Sequence, residues 1–209
     1  MTERLKLLEG TVAEIFAKST QKKYWEHTKR VQSLADTIGL AERANLDILR
    51  PATLLHDIGM TVDAGFPSHV EKSKLLGRLI LKDLGYKDDD VETITAVLAS
   101  HHPQPGAHLD SLEKQVLYDA DNMEIVGVFG VLRWIGTFPA TTAELTASVD
   151  LFLSIVSKCV EARGSLFFTK AGRTMGDKAV ESTVEYYRKL KQYVGQFEKS
   201  PHDVLPIPF

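Results

Sequence analysis

The chain has 209 residues, 44% of them hydrophobic, enough for one core and too few for two comfortable ones. A formal charge of −3 supplies no global attraction for a polyanion, and no local basic patch stands out, so nucleic-acid binding is not expected. One cysteine (Cys159), an opening MTERLKLLEG without the regions of a secretory signal, and no apolar run near the roughly 20 residues of a bilayer span lead us to expect a cytoplasmic protein without membrane insertion.

Apolar residues recur at helical spacing from the start, as in Leu5, Leu8, Val12, Ile15 and Phe16, and the fold class this predicts is all-α. In the second helix Val31, Leu34, Ala35 and Ile38 form one stripe, and His27, four residues before Val31, shares it and points inward. A third helix is expected from near Ala41 into LRPATLLHDIGM. Pro51 kinks it or restarts a turn, and Gly59 permits termination, which puts His56 and Asp57 at a helix end. Ser68 and Glu71 have the spacing of a capping box, placing His69 in the first turn of a helix that runs to about Gly85. Asp88, Asp89 and Asp90 suit the positive end of the next helix, which is expected to stop at His101 and His102 because PQPG follows. Leu112, Val116, Leu117 and Tyr118 open another, with Asp121 four residues beyond Leu117 and facing the interior. Asp119, two residues away, is expected to point elsewhere on the helix, supporting a ligand or solvated, with direct ligation as the alternative. Thr141 and Glu144 make a second capping box before a helix holding Leu151, Leu153, Ile155 and Val156. A last helix from about Arg173 to Phe197 carries an ordinary solvated face, and SPHDVLPIPF reads as an extended tail.

A buried histidine or aspartate costs on the order of a few kcal/mol unless it is hydrogen-bonded, paired or metal-bound. A lone inward histidine is usually a hydrogen-bonded core residue, but four such groups at helix faces and ends form a set. His27, His56, Asp57 and Asp121 offer two imidazoles and two carboxylates, donors suited to Mn, Fe, Mg, Co, Ni or Zn with positions left for water and substrate.

These residues resemble the four-part signature of the HD-domain metal-dependent phosphohydrolases: His27, the pair His56 and Asp57 in LLHDIGM, and Asp121 in YDADNME. Similarity extends to the helix from Ser68 to Tyr86, to GVFGVLR after the second aspartate, and to FFTKAGRTMGDKAVESTVEYYRKLKQYV, which is similar to the C-terminal helix of one bacterial subgroup. The resemblance implies a single HD-type helical domain over 1–209, with a signature-bearing core over about 22–137, C-terminal helices over about 142–198 and a tail at 199–209. It implies one or two divalent ions, a small phosphorylated substrate such as a nucleotide, and Asp57 as the catalytic group that orients or deprotonates water. His69, His101 and His102 resemble the further ligands of HD proteins with two or three metals, where Asp57 would bridge; otherwise they contact substrate or cap loops. Met60 stands where the HD-GYP branch has lysine and where the family's bacterial 5'-nucleotidases have an acidic residue, and no GYP tripeptide occurs, so neither branch's reaction is implied. Lys72 and Arg133 could meet phosphate oxygens or serve as surface residues, and His108 and His202 read as bystanders. A diiron oxygenase of the HD type is the alternative, and a ligand-retaining protein without turnover is a third reading.

Overall fold

The computed structural model describes residues 2–62, 68–103, 107–137 and 141–199. Among them are nine α-helices, one 3-10 turn and no strand, the all-α class expected: α1 (Glu3–Lys18), α2 (Lys23–Glu42), α3 (Leu46–Leu55), the turn Ile58–Thr61, α4 (His69–Asp83), α5 (Asp88–Leu98), α6 (Leu112–Met123), α7 (Gly127–Thr137), α8 (Thr142–Arg163) and α9 (Lys170–Lys199). The expected break over residues 104–106, Pro139 and the tail with His202 lie outside the described residues.

Local rules place most boundaries. Thr2, Asn45, Ser111 and Thr141 accept backbone N–H groups at the starts of α1, α3, α6 and α8, and Thr141 with Glu144 completes the reciprocal capping box. Ser68 caps α4 through the Glu71 N–H, and the three aspartates occupy the first turn of α5. Three boundaries differ from expectation. The third helix starts at Leu46, not near Ala41, because Arg43 ends α2 in the left-handed region (φ 64°), a stop that no glycine announces. The fifth helix stops at Leu98, short of the histidine pair, and the last begins at Lys170 because Thr169 caps it by accepting the Gly172 N–H.

Helix α3 is the hub: it packs on α1, α2, α5 and α6, and its Leu49, Ala52 and Leu55 are fully buried with Leu8, Phe16, Val31, Ile38, Ile94 and Leu117. A second apolar cluster, with Val149, Phe152, Phe167, Val180 and Tyr187, lies among α7, α8 and α9, and Met123 touches both. Full burial of one such large side chain is worth about 1.5–3 kcal/mol, so the helices around α3 are held firmly where their ends converge.

Asp119 joins the two clusters. It is fully buried, accepting the N–H groups of Phe168 and Thr169 (both 2.8 Å) and the Thr169 hydroxyl (2.7 Å). This corrects the expectation of a supporting or solvated carboxylate: Asp119 clamps the entry to α9. Burial pushes its pKa up to about 6, against the pull of those hydrogen bonds. A β-carbon on Gly172 would lie 2.3 Å from the carboxylate, so the close approach requires glycine there.

Candidate metal centre

Five elements bring their ends to one place. His27 comes from the buried face of α2, His56 and Asp57 follow α3, His69 opens α4, His101 follows α5, and Asp121 sits in the last turn of α6. The turn after Asp57 fits beneath α4 only because residue 59 is glycine. A β-carbon there would meet the His69 carbonyl oxygen at 2.2 Å, and the Gly59 N–H donates to the Ser73 hydroxyl at 2.9 Å. Its role is therefore close approach, not the termination suggested by the sequence.

His56 and His101 are held in the same way. Each lies just beyond a helix C-terminus, with Nδ1 against the carbonyl three residues back: Thr53 at 2.7 Å for His56, Leu98 at 2.5 Å for His101. His27 is held by a side chain, its Nδ1 3.4 Å from the Glu124 carboxylate. All three imidazoles are buried, and each turns Nε2 inward.

What they face is Asp57. Its Oδ2 lies 3.5 Å from His27 Nε2 and 3.7 Å from His56 Nε2; its Oδ1 lies 3.6 Å from His101 Nε2 and 3.8 Å from His69 Nε2. Asp121 Oδ1 completes the first side, 3.1 Å from His27 Nε2 and 3.9 Å from His56 Nε2. On each side two imidazole nitrogens stand 3.3 Å apart, His27 against His56 and His69 against His101. Two lone pairs at that distance repel unless a proton or a cation lies between them. A divalent ion with bonds of about 2.1 Å keeps its donors roughly 3–4 Å apart, which these separations match. Two groups thus have metal-ligating geometry, His27 with His56 and Asp57, and Asp57 with His69 and His101.

The electrostatics agree. The surrounding imidazoles hold Asp57 and Asp121 below the usual carboxylate range although burial opposes this. Burial pushes the His27 pKa down, but the hydrogen bonds its ring donates to the Asp121 and Glu124 carboxylates outweigh this and raise it to about 9. Burial keeps His56 and His69 low, whereas His101 is raised because its Asp57 contact exceeds the desolvation penalty.

Sequence reasoning placed His27, His56, Asp57 and Asp121 together, and the structure also brings His69 and His101 to Asp57. His102 is exposed and stands further out, its ring centroid 5.2 Å from that of His69. His108 is exposed as well. Lys72 donates to the Val62 carbonyl at 2.6 Å. Glu124 was missed: three residues after Asp121, it is buried, fixes His27, and takes Arg30 (Nε 2.9 Å, Nη2 2.8 Å) and Arg133 (Nη1 3.2 Å). The cluster opens into a cavity of about 240 Å3 lined by residues including Tyr24, Met60, His102, Ile125, Gly130 and Arg133.

The fold and centre define a helical protein with a His/Asp cluster at converging helix ends. The HD domain family model matches residues 24–125, just under half of the chain. The uncharacterized protein YpgQ of Bacillus subtilis is 29% identical over 113 residues, a stretch of 52% of this chain and 54% of that relative, so the match spans about half of each. The crystal structure of YpgQ in complex with ADP is similar with a TM-score of 0.65 at 20% identity, covering 91% of this chain and 95% of that one. A Lactobacillus plantarum structure reaches a TM-score of 0.71 at 21% identity over 94% and 99% of the two chains. An HD-superfamily hydrolase from Bacillus thuringiensis gives 0.59 at 20% identity over 94% and 96%.

Proposed function

We propose that this chain is a metal-dependent phosphohydrolase acting on a nucleotide or another small phosphate ester. The observation that carries the reading is the division of Asp57, each of whose oxygens faces its own pair of imidazoles. In this reading His27, His56, Asp57 and Asp121 hold one divalent ion, and Asp57, His69 and His101 hold a second, with Mn, Fe, Ni, Co, Mg or Zn all compatible with the donors. When bound, such ions supply an acidified water and a Lewis acid for the phosphoryl oxygen.

The chain's own residues do the rest. Asp57 orients the attacking water between the two sides and accepts its proton; the buried, anchored imidazoles keep that carboxylate from rotating away. Arg133 lines the cavity as a donor to phosphoryl oxygens, and exposed His102 at the rim is placed to protonate a leaving alkoxide. ADP bound by YpgQ, which shares this fold, supports a nucleotide as ligand.

The test is to purify the full chain, count its metals, and assay phosphate release without oxygen after adding Mn, Ni or Fe. Anaerobic release supports the hydrolase. Oxygen uptake with a mixed-valent iron signal, and no phosphate released, would replace it with a diiron oxygenase.

A further inference from the structure

The cavity over the Asp57 cluster does not end at Arg133. A second chamber, about 300 Å3, is lined by Lys23, Tyr24, Glu26, His27, Arg30, Phe129 and Arg133, and shares Tyr24, His27 and Arg133 with the first. The two chambers adjoin at these shared residues, and their chemistry differs. Asp57, Asp121 and Glu124 line the inner chamber; three cations line the outer, against a single carboxylate, Glu26, which is already paired with Lys29 at 2.8 Å.

The outer cations are unevenly held. Lys23 has no carboxylate partner among the described residues, lying instead 5.6 Å from the Tyr24 ring centroid. Arg30 is fixed in one plane: Nε and Nη2 bond to Glu124 while its guanidinium carbon stacks 4.9 Å from the centre of the Phe129 ring. Nη1 is left without a protein acceptor among the described residues, although an arginine fork has donors on all three nitrogens. An exposed phenylalanine braces this guanidinium at the mouth of a cleft, an arrangement that core packing does not require.

We propose that the outer chamber is a second anion subsite, in which Lys23 and Arg30 receive a phosphoryl group linked to the one held at the Asp57 cluster. The cleft then selects substrates with two or more consecutive phosphoryl groups over simple monoesters. This rests on the phosphohydrolase reading for the inner chamber only.

Two probes that resist hydrolysis separate the claims: methylphosphonate, with one phosphoryl-like group, and methylenediphosphonate, with two. Each is titrated by calorimetry into the Mn-loaded full chain, its Lys23→Ala and Lys23→Glu variants, and, as a control, Lys82→Ala at the far end of α4 from His69. Lys23 is exposed, so neither change disturbs packing. Loss of one charge-assisted contact should weaken the diphosphonate about tenfold. Lys23→Glu should weaken it further, and methylphosphonate should stay within about twofold. Equal weakening of both probes, no weakening of either, or an equal effect from Lys82→Ala overturns the subsite. If wild type does not bind methylphosphonate but binds the diphosphonate in a Lys23-dependent way, the inner reading falls and the subsite stands.

Discussion

The two sides of Asp57 are built to different standards. On the inner side His27, His56 and Asp121 come from α2, the end of α3 and α6, elements packed directly on one another, and both imidazoles are buried with Nδ1 anchored. On the outer side only His101 is anchored; the His69 side chain is 30% exposed, and His102 lies at the rim. A ligand set fixed before the ion arrives loses less entropy on binding it. The inner side should therefore bind tightly and define the centre, while the outer side binds more weakly and exchanges with solvent and substrate.

The strongest way to break this comparison is to remove what the sides share. Asp57→Ala should lower turnover by about a thousandfold or more and strip metal from both sides, while the helical circular dichroism signal persists. Retained turnover would remove Asp57 from the mechanism. Next come changes that separate the sides: His56→Ala should abolish the tight ion, whereas His69→Ala should lower metal content by about one per chain and spare it. If both variants lose the same ion, the two sides are one mononuclear site.

The sequence made the inner side easier to read than the outer. His27 and Asp121 share stripes with Val31 and Leu117, so periodicity alone turned them inward, and the Pro51 to Gly59 stretch put the His-Asp pair at a helix end. His69 could be placed in a first turn by its capping serine, but its proximity to Asp57 depends on Gly59 lying against α4, a contact no local pattern encodes. Arg43 is a parallel case at the level of fold, ending α2 in a left-handed turn with none of the usual glycine or asparagine signal. Glu124 looked like an ordinary polar residue at the end of α6. It is buried only because α2 brings His27 and Arg30 against it from more than ninety positions earlier in the chain. The one available hint was its spacing, three residues after Asp121 and so on a neighbouring face.

Glu124 gives the next, smaller effect. Its carboxylate fixes the His27 ring, and partners of that kind are worth about 10–100-fold in metal affinity. Glu124→Gln should thus weaken the inner ion by that factor and leave the outer one unchanged, as read by competition with a chelating dye. Equal weakening of both ions would show that the two sides are not independent.

Asp119 supplies the smallest expected effect on the centre, and the cleanest control. It is two residues from Asp121 on the same helix and carries the same carboxyl group, yet its three acceptor contacts go to Phe168 and Thr169 at the start of α9. Asp119→Ala leaves those buried donors without a partner, which should cost about 2–3 kcal/mol of stability and lower the melting temperature by several degrees. Because neither carboxylate oxygen faces the imidazoles, metal content and turnover measured below that temperature should match wild type. A variant that keeps its melting temperature but loses metal would place Asp119 in the centre, and α6 would then serve the ions from two successive faces instead of one.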